Sequence, residues 1–158
     1  MSLGFFLIFF AACCVTAMTG SLFPTGRWYE ALRKPLWTPP NWVFPIAWTV
    51  LYLILSYVGM RAALRTDGQL ALALWALQAT LSTLWTPVFF GLKKMRTAFV
   101  IMCSLWLTVF TMVVFYWQLG PILGIILIPY LVWVSYAAAL NFSVWRLNPN
   151  EIPRDLSS

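Results

Sequence analysis

The sequence predicts an all-α integral membrane protein, a bundle of five transmembrane helices. Of its 158 residues, 62% are hydrophobic and only 9% are charged, whereas a soluble domain carries about a quarter charged residues. Four stretches without any charge are 26, 26, 25 and 49 residues long. About 20 apolar residues cross a bilayer as a helix, so the first three stretches hold one crossing each and the fourth holds two. The apolar residues run continuously rather than alternating, which favours helices over a barrel.

The elements follow in order along a single predicted domain, residues 1–158. The predicted helices span residues 3–21, 42–60, 69–90, 97–117 and 121–145. The first lacks a basic start and is too long for the apolar part of a signal peptide, so we expect it to be retained. A turn at residues 118–121, which includes Gly120 and Pro121, divides the fourth stretch. Pro87 and Pro129 should each bend a helix or free a carbonyl.

The first loop, residues 22–41, is polar, aromatic and rich in proline. Its prolines are Pro24, Pro35, Pro39 and Pro40, and they interrupt any long helix. Loops of this length in compact proteins tend to be functional. We therefore expect the first loop to contribute to a site rather than only to join two helices.

Basic residues in the short loops predict the orientation in the membrane. One side carries eight of them: Arg27, Arg33, Lys34, Lys93, Lys94, Arg96, Arg146 and Arg154. The other side carries only Arg61 and Arg65. This imbalance predicts a cytoplasmic C-terminus and first loop, with the N-terminus outside. The net charge of +6 is then explained by the orientation of the chain in the membrane and by contacts with lipid headgroups. No nucleic-acid partner is expected.

The titratable residues exclude several kinds of chemistry. The chain has no histidine, and Cys13, Cys14 and Cys103 all fall in apolar segments, so no metal site and no resident cofactor is predicted. The four acidic residues lie in loops or in the tail. Without an ionisable group at mid-membrane depth, an ion-coupled pump is not expected, and no conventional catalytic set is present.

Ten tryptophans are more than an interfacial aromatic belt requires. Trp48 and Tyr52 lie four residues apart and share a helix face. One face of the fifth helix carries Tyr130, Trp133, Ala137 and Leu140. Large rings beside a small alanine could leave a slot for a planar apolar ligand. Spacing alone favours ordinary helix packing of these aromatic residues instead.

Small residues four positions apart favour close contacts between helices, within the chain or in a dimer.

Several motifs make the chain similar to a known family. They are RWY at 27–29, LRKPLWTPPNWVF at 32–44, LWTPVFFG at 84–91, PYLVW at 129–133 and LNFSVWR at 140–146. In this order and over nearly the whole chain, they resemble the tryptophan-rich sensory protein family, bacterial type. Its mitochondrial relatives are called translocator protein or peripheral-type benzodiazepine receptor.

The resemblance implies a five-helix, often dimeric protein of a bacterial membrane that binds porphyrins such as protoporphyrin IX. Sterols and synthetic isoquinoline or benzodiazepine ligands are further expected partners, beside membrane lipid. The expected pocket lies between helices under the first loop. Its predicted ligand-binding residues are Trp37, Trp48, Tyr52, Trp85, Tyr130, Trp133, Ala137 and Leu140. The charge count adds Arg27, Arg33 and Lys34 as candidates to pair with the porphyrin propionates.

The sequence leaves the function open between three hypotheses. The first is a receptor or transport-type protein that handles tetrapyrroles or signals stress. The second is an enzyme that degrades protoporphyrin oxidatively in light, for which the resemblance implicates Trp48 and Trp133. The third is a lipid-organising protein without a specific ligand. Two departures from the family pattern bear on the site: Ser82 stands where many members have asparagine, and Phe142 stands where the animal sterol motif has tyrosine.

Overall fold

A computed structural model describes residues 2–149 of the chain. Its helices are α1 Ser2–Leu22, α2 Arg27–Ala31, α3 Val43–Ala63, α4 Gln69–Thr86, α5 Met95–Leu119 and α6 Pro121–Leu147, and a π-helical turn, Pro87–Gly91, continues α4. Five of them are long and apolar enough to cross a membrane. This confirms the all-α class and the five crossings, and the predicted helix bounds agree within three residues. The short helix α2, inside the first loop, was not predicted.

The five spanning helices form a closed ring. Contacts run from α1 to α3, from α3 to α6, from α6 to α5, from α5 to α4, and from α4 back to α1. Helices α3 and α4 also touch across the ring. The first loop, the α4–α5 connection and the end of α6 therefore share one end of the bundle, which we call the loop end.

At the opposite end of the bundle, which we call the packed end, hydrogen bonds join different helices. The buried indole of Trp75 donates to the Leu55 carbonyl at 2.8 Å, and the buried hydroxyl of Tyr116 donates to the Ala71 carbonyl at 3.1 Å. Lipid offers no partner to a polar group, so such groups are paired within the protein. Because these bonds close the packed end, the open space inside the ring lies at the loop end.

Pro87 changes the geometry of α4, as its position predicts. Proline lacks an N–H and clashes with the preceding helical turn. The chain responds with the wider π-helical turn, in which the Leu92 N–H donates to the Pro87 carbonyl at 2.8 Å. Lys93 then takes a left-handed conformation, with φ of 55°, and ends the helix. Pro129, by contrast, lies inside the continuous helix α6.

Gly124 lets α5 and α6 approach closely after the tight turn that joins them. A Cβ added there would lie 2.8 to 3.0 Å from Trp117 and from the Val113 carbonyl, and two of those three contacts are backbone atoms. Backbone cannot move aside as a flexible side chain does. At Gly20, on α1, the same added atom would meet nothing within 4 Å.

Gly124→Ala should therefore destabilise the protein, because it overpacks the α5–α6 contact at a cost of about 1–3 kcal/mol. The matched control, Gly20→Ala, should not destabilise it. Thermal unfolding in detergent should show a melting temperature several degrees lower for the first variant alone. Equal melting temperatures would contradict the close approach.

Candidate ligand cavity between the helices

A cavity of about 510 Å³ lies inside the ring at the loop end. This volume is in the range of small-molecule sites. It is lined from every spanning helix, by the end of α1, the start of α3, the end of α4, the first half of α5 and the second half of α6. Of the residues predicted from the sequence, Trp48, Tyr52, Trp85, Trp133, Ala137 and Leu140 line it.

Trp48 forms the α3 wall of the cavity. Its ring stacks on Tyr52 at 5.4 Å between centroids and with 30° between planes. It also meets the edge of Tyr130 at 6.3 Å. The four-residue spacing of Trp48 and Tyr52 thus builds one broad aromatic surface.

Trp133 forms the α6 wall. Its ring packs edge-to-face with Phe44 at 5.7 Å and stacks on Tyr136 at 5.9 Å. Ala137 follows one helical turn later and adds little volume, so space remains beside the ring. Within residues 2–149, neither the Trp48 nor the Trp133 indole N–H has a hydrogen-bond partner. Both are therefore available to a ligand.

Trp85 is held in place by Asn141, a buried amide in the apolar helix α6. The Trp85 indole donates to Asn141 Oδ1 at 3.0 Å, and Asn141 Nδ2 donates to the Met95 carbonyl at 3.1 Å. This one amide joins α4, α5 and α6 beside the cavity. The role of Asn141 was not predicted, although a lone amide within an apolar helix must find a partner.

Tyr130, also predicted to bind the ligand, lies behind the cavity wall rather than on it. Its side chain is fully buried, and its hydroxyl donates to Gln78 Oε1 at 2.8 Å. It precedes Trp133 by almost one helical turn, towards the packed end, where the buried Gln78 amide needs a donor. Tyr130 supports the ring of Trp48 from behind instead.

Trp37 also lies outside the cavity wall. Its side chain is exposed and meets the edge of Tyr136 at 5.4 Å. The Tyr136 hydroxyl donates to the Trp37 carbonyl at 2.7 Å. Trp37 therefore fastens the first loop to α6, above the wall that Trp133 forms.

The three predicted propionate partners do not reach the cavity. Arg27 and Arg33 are exposed, and Lys34 Nζ donates to the Glu30 carbonyl at 3.3 Å while it lies 4.4 Å from the centre of the Tyr29 ring. For Arg27 the physical reason is the short helix α2, whose register was not predicted: it turns Tyr29 inward and leaves Arg27 exposed. Arg33 and Lys34 follow α2, where Leu32 is the buried side chain.

Tyr29 and Leu32 are the inward side chains of the first loop, and both are buried. The Tyr29 ring packs edge-to-face against Phe89 at 6.3 Å and Phe90 at 5.4 Å, both on the π-helical turn. Burial, and to a lesser degree the nearby Tyr136 hydroxyl, raises the pKa of Tyr29 above its ordinary value. Its hydroxyl stays neutral at the roof of the cavity.

Asn148 latches the first loop to the end of α6. Its Oδ1 accepts from the Arg33 N–H at 3.0 Å, and its Nδ2 donates to the Arg33 carbonyl at 2.9 Å. The same Nδ2 donates to the Val144 carbonyl at 2.8 Å. This latch was not predicted, because nothing in the sequence relates two residues so far apart.

The ring of five spanning helices around an aromatic cavity, closed by a structured loop, defines a multi-pass membrane protein with an internal cavity. Residues 7–146 match the model of the TspO/MBR family, and the chain belongs to that family. It is 46% identical to "Protein CrtK" of Rhodobacter capsulatus, over 97% of this chain and 98% of that protein. It is 47% identical to "Tryptophan-rich sensory protein" of Cereibacter sphaeroides, over 95% of each. It is 34% identical to the human "Translocator protein", over 82% of this chain and 81% of that one.

Asn148→Ala should loosen the first loop, because it removes both hydrogen bonds to the Arg33 backbone. Hydrogen exchange of residues 28–38 should become faster, while exchange in α5 stays unchanged. Asn148→Asp is the matched control, since it keeps the acceptor for the Arg33 N–H and should give an intermediate rate. Unchanged exchange in Asn148→Ala would show that the latch does not hold the loop.

Proposed function

We propose that this protein binds a porphyrin, with protoporphyrin IX as the first candidate, in the cavity at the loop end. One observation carries the proposal: two indole rings from different helices, Trp48 and Trp133, line one cavity of ligand size. A flat macrocycle gains most from such aromatic surfaces. The likeness to "Tryptophan-rich sensory protein" and "Translocator protein" supports a role in sensing or moving such a ligand, in tetrapyrrole handling or stress signalling.

The orientation is part of the proposal. Of the basic residues that the structure describes, seven lie at the loop end or within its connections: Arg27, Arg33, Lys34, Lys93, Lys94, Arg96 and Arg146. Arg61 and Arg65 lie at the other end, and Arg154 lies outside the described residues. By the excess of positive charge, we place the loop end and the C-terminus in the cytoplasm and the N-terminus outside, in a bacterial membrane.

The other expected partners are proposals of the same kind. Sterols and isoquinoline or benzodiazepine ligands are flat and apolar, so the same cavity suits them. Membrane lipid surrounds the bundle, and a homodimer is the assembly that we propose. The binding of a metal-free porphyrin needs no resident cofactor, because the protein supplies aromatic surface and hydrogen-bond donors rather than ligands to iron.

Trp48→Leu and Trp133→Leu should each weaken protoporphyrin binding about two- to tenfold, because an aromatic contact contributes about 0.5–1.5 kcal/mol. Trp117→Leu is the matched control, since Trp117 is exposed on α5 and lines no part of the cavity. Titration followed by porphyrin fluorescence measures the affinities. If all three variants bind like the native protein, the assignment of the site is wrong.

A second candidate is light-dependent oxidation of the bound porphyrin, with dioxygen as the oxidant. Its support is that the unpaired indoles of Trp48 and Trp133 line the same cavity as the proposed substrate. Illumination of the complex in air should then bleach the porphyrin Soret band faster than in a protein-free detergent control. The Trp48→Leu variant, at saturating porphyrin, should slow that bleaching. A Soret band lost no faster than in the control would exclude this activity and leave binding alone.

A further inference from the structure

A continuous path of aromatic rings leads from the cavity indole of Trp133 to the first loop. The Trp133 ring stacks on Tyr136 at 5.9 Å between centroids, with 26° between the planes. Tyr136 in turn meets the edge of Trp37 at 5.4 Å. Both distances are those of aromatic rings in direct contact. We call Trp133, Tyr136 and Trp37 the aromatic path.

The two ends of the aromatic path lie in different surroundings. Trp133 lines the cavity, whereas Trp37 does not, and the Trp37 side chain is 47% exposed. The path therefore joins the interior of the cavity to the outside of the bundle over three rings.

The chemistry of these rings suits the transfer of single electrons. Indole and phenol rings lose one electron far more readily than the phenyl ring of phenylalanine, because the nitrogen or oxygen stabilises the resulting radical. Electron transfer between two such rings is fast when they are in contact. A sequence of indole, phenol and indole therefore conducts an oxidising equivalent from one end to the other.

The second cavity indole, Trp48, has no such path among residues 2–149. Its ring contacts are Tyr52, which lines the same cavity, and Tyr130, which is fully buried. The Tyr130 hydroxyl is bonded to Gln78 Oε1, inside the bundle. An oxidising equivalent on Trp48 therefore stays in the site, whereas one on Trp133 has a way out.

The Tyr136 hydroxyl is placed to release and regain its proton. It donates to the Trp37 carbonyl at 2.7 Å, in an exposed hydrogen bond. A phenol that loses an electron becomes a strong acid, and water at an exposed site takes the proton. Tyr136 thus passes an electron without leaving a charge buried in the protein.

We propose that the aromatic path carries oxidising equivalents from a photo-excited porphyrin in the cavity to Trp37. The excited porphyrin gives one electron to dioxygen, which becomes superoxide, and the porphyrin radical cation takes one electron back from Trp133. Tyr136 then reduces Trp133 and gives its proton to water. Trp37 reduces the Tyr136 radical, which regains a proton, and Trp37 loses its own indole proton. A soluble reductant such as ascorbate finally returns one hydrogen atom to the Trp37 radical.

The net change is the light-driven transfer of one electron from the soluble reductant to dioxygen, with the porphyrin unchanged. The porphyrin supplies the photochemistry, and the protein supplies the placement of the rings. This inference rests on the proposed binding of a porphyrin but not on its degradation. It gives the two cavity indoles opposite effects, since Trp133 exports the oxidation that Trp48 retains.

Two substitutions of Tyr136 test the aromatic path. Tyr136→Phe and Tyr136→Trp both remove the hydroxyl and its bond to the Trp37 carbonyl, but only the second keeps a ring that loses an electron readily. Each protein is reconstituted in nanodiscs with saturating protoporphyrin IX and illuminated in air without a reductant. Peptide mass spectrometry then measures the oxidation of Trp37, and the Soret band measures the loss of porphyrin.

Two controls separate electron transfer from other effects. Trp42 follows the first loop and is 66% exposed, but its ring makes no aromatic contact in the part of the chain that the structure describes. Singlet oxygen, which diffuses freely from an excited porphyrin, oxidises Trp42 as readily as Trp37. Asn148→Ala removes the latch of the same loop while all three rings of the aromatic path stay present.

We expect oxidation of Trp37 to fall at least fivefold in Tyr136→Phe, to stay within twofold of the native level in Tyr136→Trp and Asn148→Ala, and to leave Trp42 unchanged throughout. The porphyrin should bleach faster in Tyr136→Phe alone, because the oxidising equivalent then stays in the cavity. Native oxidation of Trp37 in Tyr136→Phe would overturn the path and assign the damage to singlet oxygen. An equal loss in all three variants would also overturn it and assign the effect to loop position.

A titration of porphyrin fluorescence before illumination distinguishes the two levels of the proposal. Absence of saturable binding in the native protein would mean that the proposed function has failed, and the aromatic path with it. Saturable binding with equal oxidation of Trp37 and Trp42 would leave the proposed function standing and overturn the aromatic path alone.

Discussion

The structure depends on one constraint: a polar group inside a bundle surrounded by lipid must find its partner within the protein. In residues 2–149, no buried side-chain nitrogen or oxygen lacks a hydrogen-bond partner. Trp75 and Tyr116 satisfy the rule with backbone carbonyls of neighbouring helices, and Tyr130 does so with Gln78. These bonds fix the ring at its packed end, so that the remaining space collects at the loop end.

The same constraint explains why the cavity is suited to a ligand. Asn141 pairs with Trp85 and with the Met95 carbonyl, and thereby joins three helices beside the cavity. The indoles of Trp48 and Trp133 have no partner within the described residues, and they are tolerated because they face the cavity rather than lipid. A bound molecule would supply both the missing contacts and the missing acceptors. The aromatic walls and the latched roof then enclose one cavity.

The sequence predicted the five helices well, because long charge-free stretches leave no alternative in lipid. The resemblance of its motifs to the family also implied Trp48 and Trp133 as ligand-binding residues, and both line the cavity, whereas helical spacing alone favoured ordinary packing. Neither the motifs nor the spacing predicts depth within the bundle, and Tyr130, also expected to bind the ligand, lies behind the wall and against the Trp48 ring. The charge count placed Arg27 and Arg33 on one side of the membrane but says nothing about side-chain direction. For Arg27 that direction follows from α2, whose five residues are too few to show a periodicity.

The central claim is that a planar ligand occupies the cavity between Trp48 and Trp133. The most direct measurement is a structure of the protein in lipid nanodiscs with protoporphyrin IX. We expect density for one macrocycle inside the ring, in contact with both indoles. Porphyrin density only on the outer surface of the bundle, with the cavity empty, would contradict the account.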